Sequence, residues 1–152
     1  MARNKTETKI KVKVPTDLTA SQRYDVGIAI LQFIHDRTTE GNNVYGRKWA
    51  GKAGKYDAKY AKKKGVSASG PVDLALSREM LGKMQYFKSL SKSGELVIGF
   101  KDGTKARAKA EGNIQGTYGQ PAPIPGKARP FLDILAKDVA KIVSEVKSNG
   151  ES

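Results

Sequence analysis

The chain has no cysteine, which excludes disulfides, thiolate metal sites, a cysteine nucleophile and a thiol redox switch. It has a single histidine, His35, and a single tryptophan, Trp49. Nowhere do enough apolar residues follow one another to cross a membrane. The N-terminal MARNKTETKIKVKV is too polar for a secretory signal. A soluble protein, cytosolic when made, is the expectation. Acidic residues are also scarce. Against 28 Lys and Arg there are 15 Asp and Glu, a net charge of +13, and such an excess draws polyanions, nucleic acid first among them.

Catalytic chemistry finds little to work with. His35 stands beside Asp36 at the edge of an apolar stripe, without the convergent partners that a metal or a general base needs. Asp73 and Glu79, or Glu95 and Asp102, could meet in space, but no spacing marks either as an acid–base couple. The glycines of GRKWAGKAGK do not make a phosphate loop, since no GK[ST] follows. No serine occupies a nucleophile-elbow pattern. The expectation is a protein that is not an enzyme and carries no cofactor and no metal.

What is present organises a single small domain. At 152 residues the chain can bury roughly 68–70% of its unfolded surface. In TKIKVKVP, Ile10, Val12 and Val14 alternate with Lys9, Lys11 and Lys13, the pattern of a strand with one buried face, ended by Pro15. The lysine face should meet solvent or an anionic surface. Thr19 and Gln22 form a capping box, which predicts a helix to about Arg37. Its row Tyr24, Ile28 and Leu31, widened by Val26, Ile30, Phe33 and Ile34, predicts a central helix buried over most of its circumference.

Leu74, Leu76 and Leu81 allow a helical turn or two, and segments near Met84–Leu90 and Glu95–Phe100 predict a hairpin. The Gly- and Pro-rich stretch Thr104–Lys127 predicts an extended loop, with room for a strand or short helix before it. A closing helix is predicted over Pro130–Val146, with Pro130 in its first turn and Phe131, Ile134, Leu135, Val139, Ile142, Val143 and Val146 on one stripe. Residues 147–152 should fray. The fold class is therefore α+β: a small, mostly antiparallel sheet packed by an N-terminal and a C-terminal helix, with long basic loops.

The charge is uneven. Arg47, Lys48, Lys52, Lys55, Lys59, Lys62, Lys63 and Lys64 face Asp57 alone, interleaved with Trp49, Tyr56 and Tyr60. That composition suits phosphate contact with base stacking, although a solvated loop anchored by Trp49 would look the same. Residues 41–70 read as a flexible basic arm, too poor in apolar residues to offset its ordering entropy. Lys52, Lys55, Lys59, Lys62, Lys63, Lys64 and Arg107 are the cations expected to face DNA or a partner.

The second half, from about Gly41 to Val146, resembles the virion-morphogenesis or tail-completion family of tailed bacteriophages. IPGKARPFLDIL is similar to that family's closing pattern, with Ile124, Pro125, Arg129, Pro130, Phe131 and Leu132 at the matching positions. Gly46 to Trp49 is similar to its G-x-x-W element, and DLALSREMLGKM, GELVIGF and AKAEGNIQGTYG follow in the same order. The chain departs from the pattern at Leu76–Met80 and Ala110–Gly112, which leaves head side and tail side of the neck both open. The resemblance implies a structural virion protein: a tail-completion, tail-terminator or head-tail connector subunit in a homo-oligomeric, hexameric ring. It would touch neighbouring neck and tail proteins, contact genomic DNA non-specifically in the channel, and pass through the host cytoplasm before assembly. The competing reading is a basic, non-specific DNA-binding or packaging accessory protein. Phe131 and Leu132 should be buried, with Arg129 directed to a carboxylate or carbonyl.

Overall fold

The computed structural model describes residues 8–49, 62, 78–115 and 130–149. Strand β1, Lys9–Lys13, is followed by helix α1, Ala20–Thr39. Helix α2, Arg78–Gly82, leads into the short strand β2, Gln85–Tyr86, and a 3-10 turn at Lys88–Leu90 precedes strand β3, Glu95–Gly99. Helices α3, Lys105–Gln115, and α4, Ala136–Asn149, complete the order. The sheet is antiparallel in the order β1-β3-β2, with Ile10 opposite Ile98, Val12 opposite Leu96 and Tyr86 also opposite Ile98. The α+β class holds, and the hairpin expected around residues 84–100 is the β2–β3 pair.

The alternation in β1 puts Ile10 and Val12 in the core and leaves Lys11 and Lys13 exposed. At Gly99 the adjoining backbone comes so close that a Cβ would stand 2.6 Å from Lys9 Cα, so only glycine fits there. Helix α1 starts on the capping box as expected: Gln22 N–H donates to Thr19 Oγ1 at 3.1 Å, and Thr19 N–H to Gln22 Oε1 at 2.9 Å. Its buried row is Val26, Ile30, Ile34 and Thr38 at helical spacing, packed on β3 and α4.

The expectation that α1 is buried nearly all round is corrected. Tyr24 is 50% and Ile28 40% exposed, because the sheet and α4 cover one side of the helix. On that side Gly27 lies directly against the Tyr86 ring, where a Cβ would stand 2.8 Å from Cδ1. Tyr24 meets the same ring edge-on at 6.0 Å.

Three further expectations are refined. Of the strand or short helix allowed ahead of the extended loop in Thr104–Lys127, the helix is found: residues 105–115 form α3, with Thr104 Oγ1 accepting from Arg107 N–H at 3.1 Å and Ala106, Ala110 and Ile114 buried. Thr104 thereby supplies the N-terminal cap. Residues 147–149 do not fray, since α4 runs to Asn149 and Lys147 Nζ pairs with Asp17 at 3.2 Å. Finally, Pro130 does not open the last helix, which begins at Ala136. Phe131 and Leu132 are both fully buried ahead of it. The carbonyls of Phe131 and Asp133 are taken by a side chain of α1 and so are withdrawn from a helical ladder.

Candidate functional site

Two of the residues that resemble the family's closing motif, Phe131 and Leu132, meet in one buried joint. Phe131 and Leu132 are inaccessible to solvent, and the Phe131 ring meets Phe100 edge-on at 6.2 Å and 80°. The segment Phe131–Leu135 thus straps α4 to the end of β3 and to the C-terminal part of α1. Pro130 is exposed, while Ile124, Pro125 and Arg129 lie outside the described residues.

The arginine found at this joint is Arg37, from the last turn of α1. Its Nη2 donates to Phe131 O at 2.6 Å and to Asp133 O at 2.9 Å, and the residue is 6% exposed. Its Nε and Nη1 are buried without a hydrogen-bond partner, and Phe33 stacks below the guanidinium at 5.8 Å. Burial lowers its pKa, opposed by the charges of Asp133 and Asp138. A signal existed in the sequence: Arg37 continues the stripe of Ile30 and Ile34 at helical spacing. Beside it a recess of about 340 Å³ is lined by Phe33, Asp36, Glu40, Val44, Tyr45, Leu135 and Asp138, among others.

Trp49 is half-buried against the core, with its indole N–H buried and unpartnered. It ends a compact turn in which Asn43 Oδ1 accepts from the N–H groups of Tyr45 and Arg47, at 3.0 and 3.1 Å. Gly46 takes the left-handed conformation there, at φ 76°. Asn42 bridges to Lys48, whose Nζ donates to Glu40 O. Within the arm expected over 41–70, residues 41–49 form a hydrogen-bonded turn. Most of the rest of the arm, including Lys52, Lys55, Lys59, Lys63 and Lys64, lies outside the described residues. Lys62 is helical and exposed.

Arg107 does not project freely toward an outside anion. It pairs with Glu111 at 3.1 Å and lies 3.5 Å from Asp102. Asp102 in turn accepts from Lys9 Nζ at 2.9 Å, and that hydrogen bond, with the charges of Lys9 and Arg107, holds its carboxyl below the usual carboxylate range. Asp102, which no spacing marked as half of an acid–base couple with Glu95, sits between two cations.

The open face of the sheet carries Lys9, Lys11 and Lys13 together with Phe87, over whose ring Lys9 Nζ sits at 5.3 Å. Chemically these surfaces offer cations, an apolar strap and backbone edges. His35 Nδ1 lies 3.4 Å from Asp36 on the surface, and among the described residues no group of three or more His, Asp or Glu could hold a metal ion. No helix among them is long and apolar enough to cross a membrane. No family model, curated protein or solved structure matches this chain.

Proposed function

We propose that this chain is a structural virion protein of a tailed bacteriophage, a subunit of the homo-oligomeric ring at the head-tail neck or tail end. The observation that carries the reading is the Phe131–Leu135 strap. Phe131 and Leu132, two of the residues similar to the family's closing motif, are buried where the segment ahead of the terminal helix is fastened to the body of the domain. A motif that fixes an architecture, rather than a pocket of reactive groups, is what a ring-building subunit needs. A ring of six copies would leave the basic turn and arm free to face neighbouring rings or the DNA in the channel.

The second reading, a basic DNA-binding or packaging accessory protein, is favoured by one specific feature, the lysine row of β1. Two measurements separate them. Electron microscopy of particles lacking the protein should show separate full heads and tails, or tails of wrong length, if the ring reading is right; normal particles would sink it. Titration of the free chain with duplex DNA at about 0.15 M salt should give only weak binding, roughly 10⁻⁴–10⁻⁶ M. Nanomolar, sequence-dependent binding would promote the second reading.

A further inference from the structure

Among the described residues, nothing pairs with the outer edge of β1. Phe100 N–H donates to Thr8 O at 2.9 Å and Val14 N–H to Gly94 O at 3.0 Å, so the residues at both ends of this alternation bond inward to β3. In an antiparallel ladder the intervening even-numbered residues do the same, and Lys9, Lys11 and Lys13 turn their N–H and C=O groups outward. In the sheet order β1-β3-β2 no strand among the described residues lies on that side.

At the Lys13 end of this edge lies a groove of about 600 Å³ between Lys13, Val14 and Pro15 and one side of α4. On the helix its lining includes Val139, Ala140, Val143 and Ser144, and Lys147 stands at the rim. Val139 and Val143 belong to the core, so the groove opens on the core side of β1. Lys9 and Lys11 lie on the opposite face, away from the groove lining. A strand laid along this edge would therefore bring a side chain into the groove at the Lys13 end and set the alternate side chains of its other face beside lysines.

We infer that this edge is the docking site for an extended acidic segment of another protein, which adds as a fourth strand. An apolar side chain would enter the groove at the Lys13 end, and carboxylates two residues apart would face Lys11 and Lys13. Main-chain bonds supply affinity in this mode and the alternating pockets supply selectivity. Charge decides against a second copy of this chain. A second β1 laid on this edge would set lysines opposite lysines, and like charges directly opposite one another on paired strands destabilise. The sequence also cannot supply the complement: the two acidic residues nearest each other along it are Asp36 and Glu40, in and just after α1, so no carboxylates recur at strand spacing. The docking holds whether or not the subunit builds a ring.

The test uses the full chain, isotope-labelled, with a blocked peptide Glu-Val-Glu-Val-Glu-Val-Glu as probe and Lys-Val-Lys-Val-Lys-Val-Lys as control. The acidic peptide should slow amide exchange at Lys9, Lys11 and Lys13 and leave Ile10 and Val12, already bonded to β3, unchanged. Lys11→Pro removes an outward donor and spares the ladder, since proline is tolerated on edges. It should weaken binding about tenfold, the equivalent of one good hydrogen bond. Should that variant misfold, the double reversal Lys11→Glu with Lys13→Glu tests the same edge, with a loss of tenfold or more expected. Equal binding of the lysine peptide, protection elsewhere in the chain, or no protection at all overturns the proposal. So does protection of the three amides in the free protein that grows with its concentration, which would make the occupant a second copy.

Discussion

On one face of the sheet Ile10, Val12, Leu96 and Ile98 meet the helices and are at most 7% exposed; on the other, Lys9, Lys11 and Lys13 alternate with them in the same strand. The core face is governed by apolar area removed from water, about 25 cal/mol per Å², a non-directional force satisfied by any well-filled arrangement. The lysine face is governed by charge in high dielectric, where single ion pairs are worth little and salt screens them. Val97 refines the contrast. It lies on the lysine face opposite Lys11, yet is only 5% exposed. The chain from Phe87 to Ser91 curls beside it, with Val97 N–H donating to Ser91 Oγ at 2.9 Å and Phe87 N–H to Val97 O at 2.9 Å. A lysine stem spanning the strand can shield such a residue while its ammonium stays wet. One face thus holds the fold, and the other presents charge to its surroundings.

The sharpest way to break this division is on the core side. Phe131→Ala should cost about 3–5 kcal/mol, since it opens a cavity under Phe100 and unfastens α4. Chemical denaturation measures it. A loss below about 1 kcal/mol, less than removal of a buried aromatic ring can give, would mean the strap is not part of the core.

Arg37→Met comes next and should cost about 1–3 kcal/mol. The buried carbonyl of Phe131 and the partly buried carbonyl of Asp133 lose the guanidinium as donor, and Phe131 O keeps the N–H of Asp133 at 2.9 Å. Part of that loss is offset because the guanidinium no longer has to be desolvated, a burden visible in its lowered pKa. If Arg37→Met were as damaging as Phe131→Ala, the charge itself would be holding the joint, and the carbonyl bonds would not be the whole account.

These two residues also mark how far the sequence could be read. Phe131 and Leu132 declare themselves by hydrophobicity, and their burial is legible. Their conformation is not. Pro130 and the apolar residues after it have the spacing of a helix, but Arg37, almost a hundred positions away in the chain, takes the carbonyls that a helix would use. Long-range capture of backbone groups leaves no local pattern. The same holds for Arg107, whose charge is obvious but whose partners, Glu111 one turn on and Asp102 in the preceding turn, divert it from a free surface. Helix α3 hid behind glycine and a run of lysine and alanine, because its burial rests on small residues, Ala106 and Ala110. The capping box at Thr19, the strand alternation in β1 and the Val139–Val143 stripe were legible because each depends on residues within a few positions of one another.

A smaller effect sharpens the border between the faces. Asp102 has its carboxyl depressed chiefly by the hydrogen bond from Lys9 and secondarily by the charges of Lys9 and Arg107. A depressed carboxyl contributes stability that is present above its unfolded value, about 4, and is lost as pH falls through the folded value. Asp102→Asn should therefore be slightly less stable than the parent near neutral pH, and the two should converge as the solution is acidified below about 4. A constant gap across that range would attribute the difference to something other than ionisation. Because the group is exposed, added salt should shrink the gap at neutral pH.

The smallest effect on stability belongs to the lysine row itself, and it is where the two faces should separate most cleanly. Lys11→Gln and Lys13→Gln should each change the unfolding free energy by no more than about 0.5 kcal/mol, as exposed charges commonly do. Their effect should appear instead in the binding of polyanions. If both lysines face duplex DNA or heparin, the double substitution should reduce the slope of log Kobs against log salt by about 2, close to one for each phosphate that is no longer neutralised. Lys9→Gln offers the internal control: its ammonium already serves Asp102 at 2.9 Å and the Phe87 ring, so it has less to give an outside anion and its slope should change less. Equal effects from all three lysines would mean that the row acts only as a diffuse field. A slope unmoved by Lys11 and Lys13 would shift polyanion binding to another basic surface of the chain and leave the strand edge to its protein partner alone.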